Sequence, residues 1–181
     1  MEQLPDRFET PRLNVRRATN DEAAAILRGE QPPGLRFGAG YPNEQAREVA
    51  DLLAGPRSAG APGFTSWFMI LRETGEVLGE IGFTAAEDGR SATAGYDISP
   101  AFEGRGYTTE ALVGLVAHLF AHTPVARVLA DTQVTHAASR RVMEKAGMRF
   151  VKEFEGAVDG RIETLVLYEW VKDWWSSEAA P

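Results

Sequence analysis

Cysteine is absent from the sequence of 181 residues. Its absence excludes disulfides, thiolate metal sites and a cysteine nucleophile. Histidine is scarce, and two of the three histidines, His118 and His122, are spaced i, i+4 on one predicted helix. They lack the acidic partner pattern of a metalloprotease, so we interpret them as polar residues on a solvated helix face. We therefore predict no metal site.

Long apolar runs are also absent, so the sequence predicts no membrane span. The first seven residues lack the basic and apolar regions of a signal peptide, and we expect a cytoplasmic protein without a membrane partner. A formal charge of −7 without a dense stripe of Lys and Arg argues against extended nucleic-acid binding. A net acidic surface suits cationic acceptors such as amines.

The length and composition indicate one globular unit. A content of 44% hydrophobic and 25% charged residues is that of an ordinary soluble protein, and 181 residues provide enough interior for one core. We predict a single domain over residues 1–175 and a frayed tail over residues 176–181. The adjacent Trp174 and Trp175 indicate either packing of the terminal segment or a contact in a homodimer.

The first predicted elements follow from local patterns near the N-terminus. We interpret residues 8–17 as one strand, because Leu13 and Val15 alternate with polar residues. Residues 19–22 provide capping side chains for a short helix over residues 21–28. The chain is thus expected to open with a strand and a helix.

Glycine and proline divide the next part of the chain. Residues 29–42 contain several of both and are predicted to be largely loop, and residues 55–63 are predicted to form a mobile surface loop. Between them, residues 43–54 are predicted to form a second helix. Its apolar side is expected to present Val49, Leu52 and Leu53.

Two short turns, Glu-Thr-Gly and Glu-Asp-Gly, then separate three runs of strand-forming residues. Two hairpins in series predict an antiparallel meander over residues 64–72, 77–85 and 91–99. Since alternate residues of a strand share a face, the second strand is expected to place Val77, Ile81 and Phe83 on one face and Leu78, Glu80 and Thr84 on the other.

A junction of strand, loop and helix follows the meander. The strand ends near Pro100, Gly104 and Gly106 flank Arg105, and an amphipathic run begins near Tyr107. The first turn of a helix carries unpaired N–H groups and partial positive charge, and glycine leaves the backbone open to a ligand. The junction therefore predicts an anion site to which Arg105 adds charge. A turn that uses glycine only for backbone freedom is the alternative.

The last third of the chain predicts two helices and three strands. A crossover helix joins the strand ending at residue 99 to the next strand, so the two strands are expected to pair in parallel. The elements are a helix over 107–123, a strand over 125–134, a helix over 135–146, and a hairpin of strands over 148–157 and 161–171.

Helical spacing assigns the faces of these two helices. The first is expected to bury Ala111, Leu112, Leu115, Val116, Leu119 and Phe120. The second is expected to face inward with Ser139, Val142, Met143 and Ala146, and to point Arg140, Arg141, Glu144 and Lys145 away.

With these elements placed, the chain resembles the GNAT superfamily of acyl-CoA-dependent N-acetyltransferases. Three segments carry the resemblance: Glu9–Leu13, Gly95–Leu112 and Ala138–Met148. They look most like the branch of ribosomal-protein N-terminal acetyltransferases, which also includes enzymes acting on small amines. The resemblance implies an α/β (α+β) fold with a mixed, mostly antiparallel sheet of about six to seven strands and four flanking helices.

The resemblance also implies acetyl-CoA as co-substrate. The loop from Glu103 to Thr108 is expected to hold its pyrophosphate, and the backbone around Ile98 to Pro100 is expected to pair with its pantetheine arm like an added strand. The residues that it implies for acetyl-CoA are Ile98, Ser99, Glu103, Gly104, Arg105, Gly106, Tyr107, Thr108, His136 and Ser139.

Several residues depart from the pattern of the family. Its loop usually begins with Arg or Gln and ends with Gly or Ala, whereas this chain has Glu103 and Thr108. Glu103 adds negative charge near a pyrophosphate, so it is expected to weaken binding unless it turns outward. The following crossover helix usually starts with Asn, and His136 replaces it here. A histidine donates a hydrogen bond as well, although an exposed residue at a helix start is the alternative.

Acyl transfer to an amine requires a neutral amine, and the departing thiolate must be protonated. Ser139 is our candidate for hydrogen-bonding or protonating the coenzyme sulfur, because the tyrosine expected one turn later is replaced by Met143. Glu80 and Asp97 are the candidate bases, with a water relayed by Glu80 preferred. The carboxylate common in the family two residues before the Gly-Tyr pair appears here as Thr93. For each candidate, a purely structural role is the alternative.

The predicted function is transfer of the acetyl group of acetyl-CoA to a primary amine, either a protein N-terminus or a small molecule. Three aromatic residues, Phe37, Tyr41 and Trp67, are expected to line the acceptor pocket. Transfer of a larger acyl group such as succinyl is one alternative. A non-catalytic protein that binds acyl-CoA is another, motivated by the departures from the family pattern.

Overall fold

The computed structural model describes residues 4–55, 63–158 and 160–174. Within these ranges nine strands form one sheet, which confirms the predicted mixed fold but exceeds the predicted six to seven strands. The strands are β1 Arg7–Glu9, β2 Leu13–Arg17, β3 Arg36–Phe37, β4 Phe64–Leu71, β5 Glu76–Ala85, β6 Ser91–Ile98, β7 Arg127–Gln133, β8 Arg149–Val158 and β9 Arg161–Val171.

The sheet is mostly antiparallel. Its order is β1-β2-β4-β5-β6-β7-β9-β8, and β3 pairs with β5 outside this path. The β6–β7 pair is parallel, as the crossover predicted, and so is the short β3–β5 pair. The main helices are α1 Asn20–Leu27, α2 Glu44–Ala54, α3 Tyr107–His122 and α4 Ala137–Lys145, with a 3-10 turn at Pro100–Phe102.

The prediction of one strand over residues 8–17 is wrong, because the segment folds back as a hairpin. Strands β1 and β2 pair antiparallel, with Phe8 opposite Val15. Their turn is closed by the N–H of Thr10, which donates to the carbonyl of Leu13 at 2.9 Å. The turn contains no glycine that marks it in the sequence, and it places Arg12 at the edge of the molecule.

The helices of the first half begin where their caps predict. Thr19 and Glu22 form a capping box at the start of α1, and the side chain of Asn43 accepts from the N–H of Ala46 at the start of α2. The predicted apolar side of α2 is buried only in part, although Leu53 packs against the core. Its fully buried residues are Ala46 and Ala50, whereas Val49, Leu52 and Leu53 are only partly buried.

A β-bulge changes the predicted faces of β5. Met69 pairs with Gly79 and Ile70 with Val77, so Leu78 is an extra residue on β5. The bulge moves Val77 to the same face as Glu80 and moves Leu78 to the face of Ile81 and Phe83. The predicted grouping of Val77 with Ile81 and Phe83, and of Leu78 with Glu80, is therefore wrong.

The sheet separates two hydrophobic cores. Helices α1 and α2 cover one face with small and aliphatic residues such as Ile26 and Ala46. Helices α3 and α4 cover the other face, where the predicted apolar side of α3 is completely buried and Met143 of α4 has no exposed surface. Glu80 faces the first core and Tyr96 packs against the second.

His118 corrects the interpretation of the two histidines as solvated. It is buried at 6% exposure, and its Nε2 lies 3.0 Å from the carbonyl oxygen of Pro5. The ring stacks beside Phe8 at a centroid distance of 4.9 Å. His118 therefore attaches the N-terminal segment to α3, whereas His122 remains exposed.

The C-terminal segment enters a helical turn at Lys172–Trp174, where the Arg149 guanidinium lies 4.1 Å from the Trp174 ring centroid. This contact supports the packing interpretation of Trp174, and the homodimer stays a prediction. Predictions for most of the 55–63 loop, Asp159, Trp175 and the 176–181 tail lie outside the described residues. Among the described helices, none has the length and apolar character needed to cross a membrane.

Candidate active site

A gap between two parallel strands creates the main cavity. β6 pairs with β7 only over Ser91–Thr93, although both strands continue beyond that point. Where they diverge, a cleft of about 620 Å³ opens between the start of α3 and one face of α4. β7 remains paired with β9 along its whole length, so the cleft exposes the edge of β6 beyond Thr93.

The glycine loop forms one wall of this cleft. Gly104 and Gly106 both have positive φ, at 72° and 80°, and Gly106 is the N-cap residue of α3 without a side-chain cap. A Cβ at Gly104 would meet no atom within 4 Å, so its backbone is open to a ligand. The unpaired N–H groups and dipole of a helix start favour an anion at this position.

Most of the residues that the resemblance implied for acetyl-CoA border the cleft: Ile98, Glu103, Gly104, Gly106, Tyr107, Thr108, His136 and Ser139. The side chains of Ser99 and Arg105 do not. Ser99 has no exposed surface, and its buried Oγ has no hydrogen-bond partner among the described residues. The Arg105 guanidinium lies 5.8 Å from the centroid of the Phe102 ring.

Two cations that were predicted to point away from the site border the cleft as well. Arg141 and Lys145 lie on the α4 wall, opposite the glycine loop, together with Ala138 and Val142. These four residues follow the i, i+3, i+4, i+7 spacing of one helix face, which is the signal that could have identified them. The positive charges of Arg141 and Lys145 offset the negative charge of Glu103, which lies on the other wall.

His136 lies at the start of α4 with its side chain exposed. Its Nδ1 is 3.2 Å from the Oγ1 of Thr132, and it makes no capping hydrogen bond to the helix. The position borders the cleft, as the resemblance implied. The ring therefore lies at the cleft and is held by Thr132 of β7 rather than by α4, and its contact with acetyl-CoA stays a prediction.

A second, smaller cavity of about 250 Å³ lies beside α2. It shares Gln45, Tyr96 and Asp97 with the main cleft, so the two cavities meet at the splayed end of β6. Its lining includes Glu80 and Ser66 together with the apolar residues Val49, Leu52, Phe64 and Ile81. We call it the α2 cavity.

Glu80 is almost completely buried, at 2% exposure. The hydroxyl of Tyr41 donates to its Oε1, and the hydroxyl of Ser66 donates to its Oε2 at 3.2 Å. Burial raises the pKa of Glu80 to about 7, although these two hydrogen bonds act in the opposite direction. A carboxylate with this pKa exchanges protons near neutral pH, as a general base must.

Asp97 is the second carboxylate at the junction of the cavities. Its Oδ2 accepts from the Nδ2 of Asn43, the N-cap residue of α2, at 2.7 Å. Burial raises its pKa above the usual range, and the nearby Glu103 acts in the same direction. The amide of Asn43 therefore ties the start of α2 to the wall that the two cavities share.

Tyr96 was not predicted as a site residue, yet it provides a hydroxyl at the cleft. Its Oη lies 3.0 Å from the Oγ of Ser139 and donates to the Ser139 carbonyl at 3.1 Å. Burial raises the pKa of Tyr96 to about 12, so the phenol keeps its proton at neutral pH. The position of the expected family tyrosine, Met143, points into the core instead. The contact joins β6 to α4, so no pattern within one element predicted it.

The predicted acceptor aromatics do not line either cavity. Trp67 has no exposed surface and stacks on Phe83 in the α3 core, on the opposite face of the sheet from Glu80, so its prediction as a pocket residue is wrong. Phe37 packs edge-on against Tyr41 at 5.1 Å. Tyr41 acts on the site indirectly, through its hydrogen bond to Glu80.

Within the described residues, no group of three or more His, Cys, Asp or Glu side chains is arranged to hold a metal ion. The site therefore consists of a backbone turn at a helix start, a cleft along an open strand edge, two carboxylates of raised pKa and a pair of hydroxyls. This combination is that of a class of protein whose site suits an extended anion beside a carboxylate able to accept a proton.

The comparisons with known proteins agree with this class. Residues 12–149 match the model of the acetyltransferase (GNAT) domain family, and the chain belongs to that family. It is 28% identical over 145 residues to the uncharacterized N-acetyltransferase YoaA of Bacillus subtilis, covering 78% of this chain and 82% of the relative.

Two solved structures show the same fold. One is the ribosomal-protein alpha-N-acetyltransferase RimL in complex with coenzyme A, with a TM-score of 0.66 and 17% identity over 94% of this chain and 98% of that one. The other is a spermidine N-acetyltransferase chimera of the Vibrio cholerae enzyme SpeG and hSSAT, with a TM-score of 0.68 and 14% identity over 92% of this chain and 99% of that one.

Proposed function

We propose that the protein transfers an acetyl group from acetyl-CoA to a primary amine that reaches Glu80 through the α2 cavity. One observation carries the proposal: a cleft with a helix-start anion site and a cavity with a buried carboxylate of raised pKa meet at Tyr96 and Asp97. Positioning two substrates on either side of one strand provides much of the rate of such a reaction.

The residues of the cleft fit acetyl-CoA. The backbone at Gly104 and Gly106 and the start of α3 would hold the pyrophosphate, with Arg141 and Lys145 adding positive charge from the opposite wall. The open edge of β6 beyond Thr93 would pair with the amide-bearing pantetheine arm. When bound, acetyl-CoA supplies an acyl group activated as a thioester.

Glu80 is the proposed base. It lines the α2 cavity and titrates near neutral pH, so it would take the proton of the acceptor amine directly or through one water. Tyr41 and Ser66 hold both oxygens in place. Asp97 is the second candidate, and its hydrogen bond from Asn43 favours a role in orienting the shared wall.

Ser139 and Tyr96 are the proposed proton donors at the cleft. The Tyr96 phenol has one proton, which it can donate either to the Ser139 carbonyl or to Ser139 Oγ. When it turns from the carbonyl to Oγ, the hydroxyl proton of Ser139 is free to point into the cleft. Serine alone is a poor acid, and the adjacent phenol polarises its hydroxyl through this hydrogen bond. The pair would then stabilise the departing thiolate, and Ser139 would donate a proton to its sulfur.

The acceptor is proposed to be a primary amine, either a protein N-terminus or a small molecule. Carboxylates at the shared wall and in the α2 cavity suit a cationic amine. The two structural neighbours represent both kinds of acceptor, since one is a ribosomal-protein acetyltransferase and the other a spermidine acetyltransferase.

Two measurements test the function. Titration with acetyl-CoA should raise the thermal stability, because a ligand at about 100 times its Kd adds roughly 2.7 kcal/mol to the native state. Release of the CoA thiol should then follow addition of a primary amine from a panel of peptides and small amines. No stabilisation at millimolar acetyl-CoA would refute the proposal. Binding without turnover of any amine would favour a non-catalytic acyl-CoA-binding protein, and faster turnover of succinyl-CoA would favour the larger acyl donor.

Substitutions of the two hydroxyls test the proposed acid. Ser139→Ala and Tyr96→Phe should each lower kcat about tenfold or more while the Kd for CoA stays within about twofold, since proton transfer contributes about 10²-fold or more. Tyr168→Phe is the matched control, because its buried hydroxyl donates to Glu144 of the same helix at 3.1 Å and lies outside the cleft. Unchanged turnover in Ser139→Ala would reject the catalytic role of that residue.

A further inference from the structure

The Glu9–Leu13 segment resembles the family but borders neither cavity. Its Arg12 nevertheless contacts the glycine loop from behind. The Nη1 of Arg12 donates to the carbonyl of Arg105 at 2.9 Å, and its Nε donates to Oε2 of Glu110 at 2.6 Å. Its guanidinium also lies 4.5 Å from the centroid of the Tyr107 ring. One side chain thus contacts the loop and the first turn of α3.

Glu110 completes this arrangement from the helix side. Its Oε1 accepts from the backbone N–H of Arg12 at 2.7 Å and from the hydroxyl of Thr10 at 2.6 Å. Burial alone would raise the pKa of Glu110, but the hydrogen bonds from Thr10 and Arg12 hold it below its usual value. The carboxylate therefore stays ionised and paired, and its charge at the helix start is neutralised by Arg12.

The hydrogen bond to Arg105 fixes the direction of a peptide plane. The Arg105–Gly106 peptide is trans, so its carbonyl and N–H point in opposite directions. With the carbonyl on Arg12, the N–H of Gly106 points away from Arg12, and Gly106 itself borders the cleft. Arg12 also lies directly behind Gly106, where an added Cβ would be 3.5 Å from its Nη2.

We propose that Arg12 is a positioning residue that holds the Arg105–Gly106 peptide in the anion-binding orientation, with Glu110 fixing Arg12 in turn. The inference rests on the proposed function, because it assigns the anion as the pyrophosphate of CoA. It predicts that Arg12 matters for a donor with a pyrophosphate and not for a donor that ends at the pantetheine.

The test compares two ligands in Arg12→Met. Its Kd for CoA, measured by titration calorimetry, should rise about tenfold relative to the unaltered chain, because a misdirected N–H no longer meets the anion. Its kcat/KM with acetyl-pantetheine, which lacks the pyrophosphate, should stay within about twofold. A CoA affinity within twofold of the unaltered chain would overturn the inference, and so would a tenfold loss of kcat/KM with acetyl-pantetheine.

Arg72→Met is the matched control. Arg72 has a side-chain exposure of 47%, against 45% for Arg12, and its Nη1 donates to the Thr10 carbonyl of the same turn at 3.2 Å. The replacement removes the same charge from a side chain that contacts the same hairpin turn, and it leaves the glycine loop unaltered. It should leave both ligands unaffected. A loss of CoA affinity equal to that of Arg12→Met would show a general charge effect and overturn the inference.

Two milder variants keep the test decisive if Arg12→Met does not fold. Arg12→Lys keeps the charge but cannot bond Arg105 and Glu110 with the same planar group, so it should lose CoA affinity about threefold or more. Glu110→Gln should show a smaller loss in the same direction. If both bind CoA as the unaltered chain does, the inference fails while the proposed function stands. If the unaltered chain itself does not bind CoA, both fail.

Discussion

The cleft between β6 and β7 and the α2 cavity meet at one strand but are built differently. The cleft presents a backbone turn and side chains that are largely exposed, such as Glu103 and Arg141. The α2 cavity presents a buried carboxylate, Glu80, whose oxygens are fixed by two hydroxyls. The difference shows two ways of preparing a site: rigid geometry for an extended anion, and a shifted pKa for a proton.

The comparison predicts that a change at Glu80 affects chemistry and leaves binding at the cleft intact. Glu80→Gln should lower kcat/KM for the acceptor amine by about 10³-fold, within the range that a general base contributes. The rise of activity with pH near the Glu80 pKa of about 7 should also disappear, because the group that must lose a proton is gone. The Kd for CoA, measured by calorimetry, should stay within about twofold.

Glu76→Gln provides the control for that substitution. Glu76 lies on the same strand and forms an ion pair with Arg36 at 3.4 Å, away from both cavities. Its replacement should leave the pH–rate profile unchanged. If Glu80→Gln keeps the profile of the unaltered chain as well, Glu80 is not the base and Asp97 becomes the candidate to test.

The buried carboxylate of Glu80 should also lower the free energy of unfolding when it ionises. The folded pKa of Glu80, about 7, lies above its ordinary value of 4.5, so its contribution to stability is complete below pH 4.5 and is lost as the pH rises to 7. The loss amounts to about 3 kcal/mol over this window. Glu80→Gln should remove it, since an amide does not titrate.

Urea unfolding of both chains between pH 5 and pH 8 measures this difference. The stability of Glu80→Gln relative to the unaltered chain should increase by about 2–3 kcal/mol across that range. The pKa of Asp97 is also raised, but Asp97 is present in both chains, so its contribution to the pH dependence cancels in the difference. Parallel pH profiles of the two chains would mean that Glu80 is not held in a desolvated state.

Much of the fold could be predicted from the sequence because its signals are local. The ends of α1, α3 and the three meander strands follow from capping residues, glycine turns and periodicity over a few positions. Two errors arose where no local signal exists. The hairpin before Leu13 turns without glycine, and the bulge at Leu78 is set by pairing with β4 rather than by the sequence of β5.

The part of the site formed by the backbone of one continuous segment could be predicted from the sequence. The glycine loop is one continuous segment, so its motif predicted its place at the cleft. The environment of Glu80 depends on Tyr41, which lies 39 positions earlier, and the contact between Tyr96 and Ser139 spans 43 positions. No periodic pattern in the sequence predicts contacts over such separations, because only the folded sheet brings these side chains together.

The smallest predicted effect is that of a charge on the exposed wall of the cleft. Arg141 borders the cleft with a side-chain exposure of 67%, so solvent screens its attraction for an anion. Arg141→Met should raise the Kd for CoA about threefold at low ionic strength, and the difference should shrink at about 0.5 M salt. Calorimetry at both salt concentrations measures it.

Lys152→Met controls for the overall charge of the chain. Lys152 is a cation on β8 that does not border either cavity, so its removal changes the net charge of −7 as Arg141→Met does. Equal losses of CoA affinity in the two variants would show that the whole surface, and not the α4 wall, attracts the ligand. A loss of CoA affinity of about 100-fold in Arg141→Met would contradict the view that the cleft binds mainly through its backbone. The cleft would then depend on one side chain about as strongly as the α2 cavity is expected to depend on Glu80.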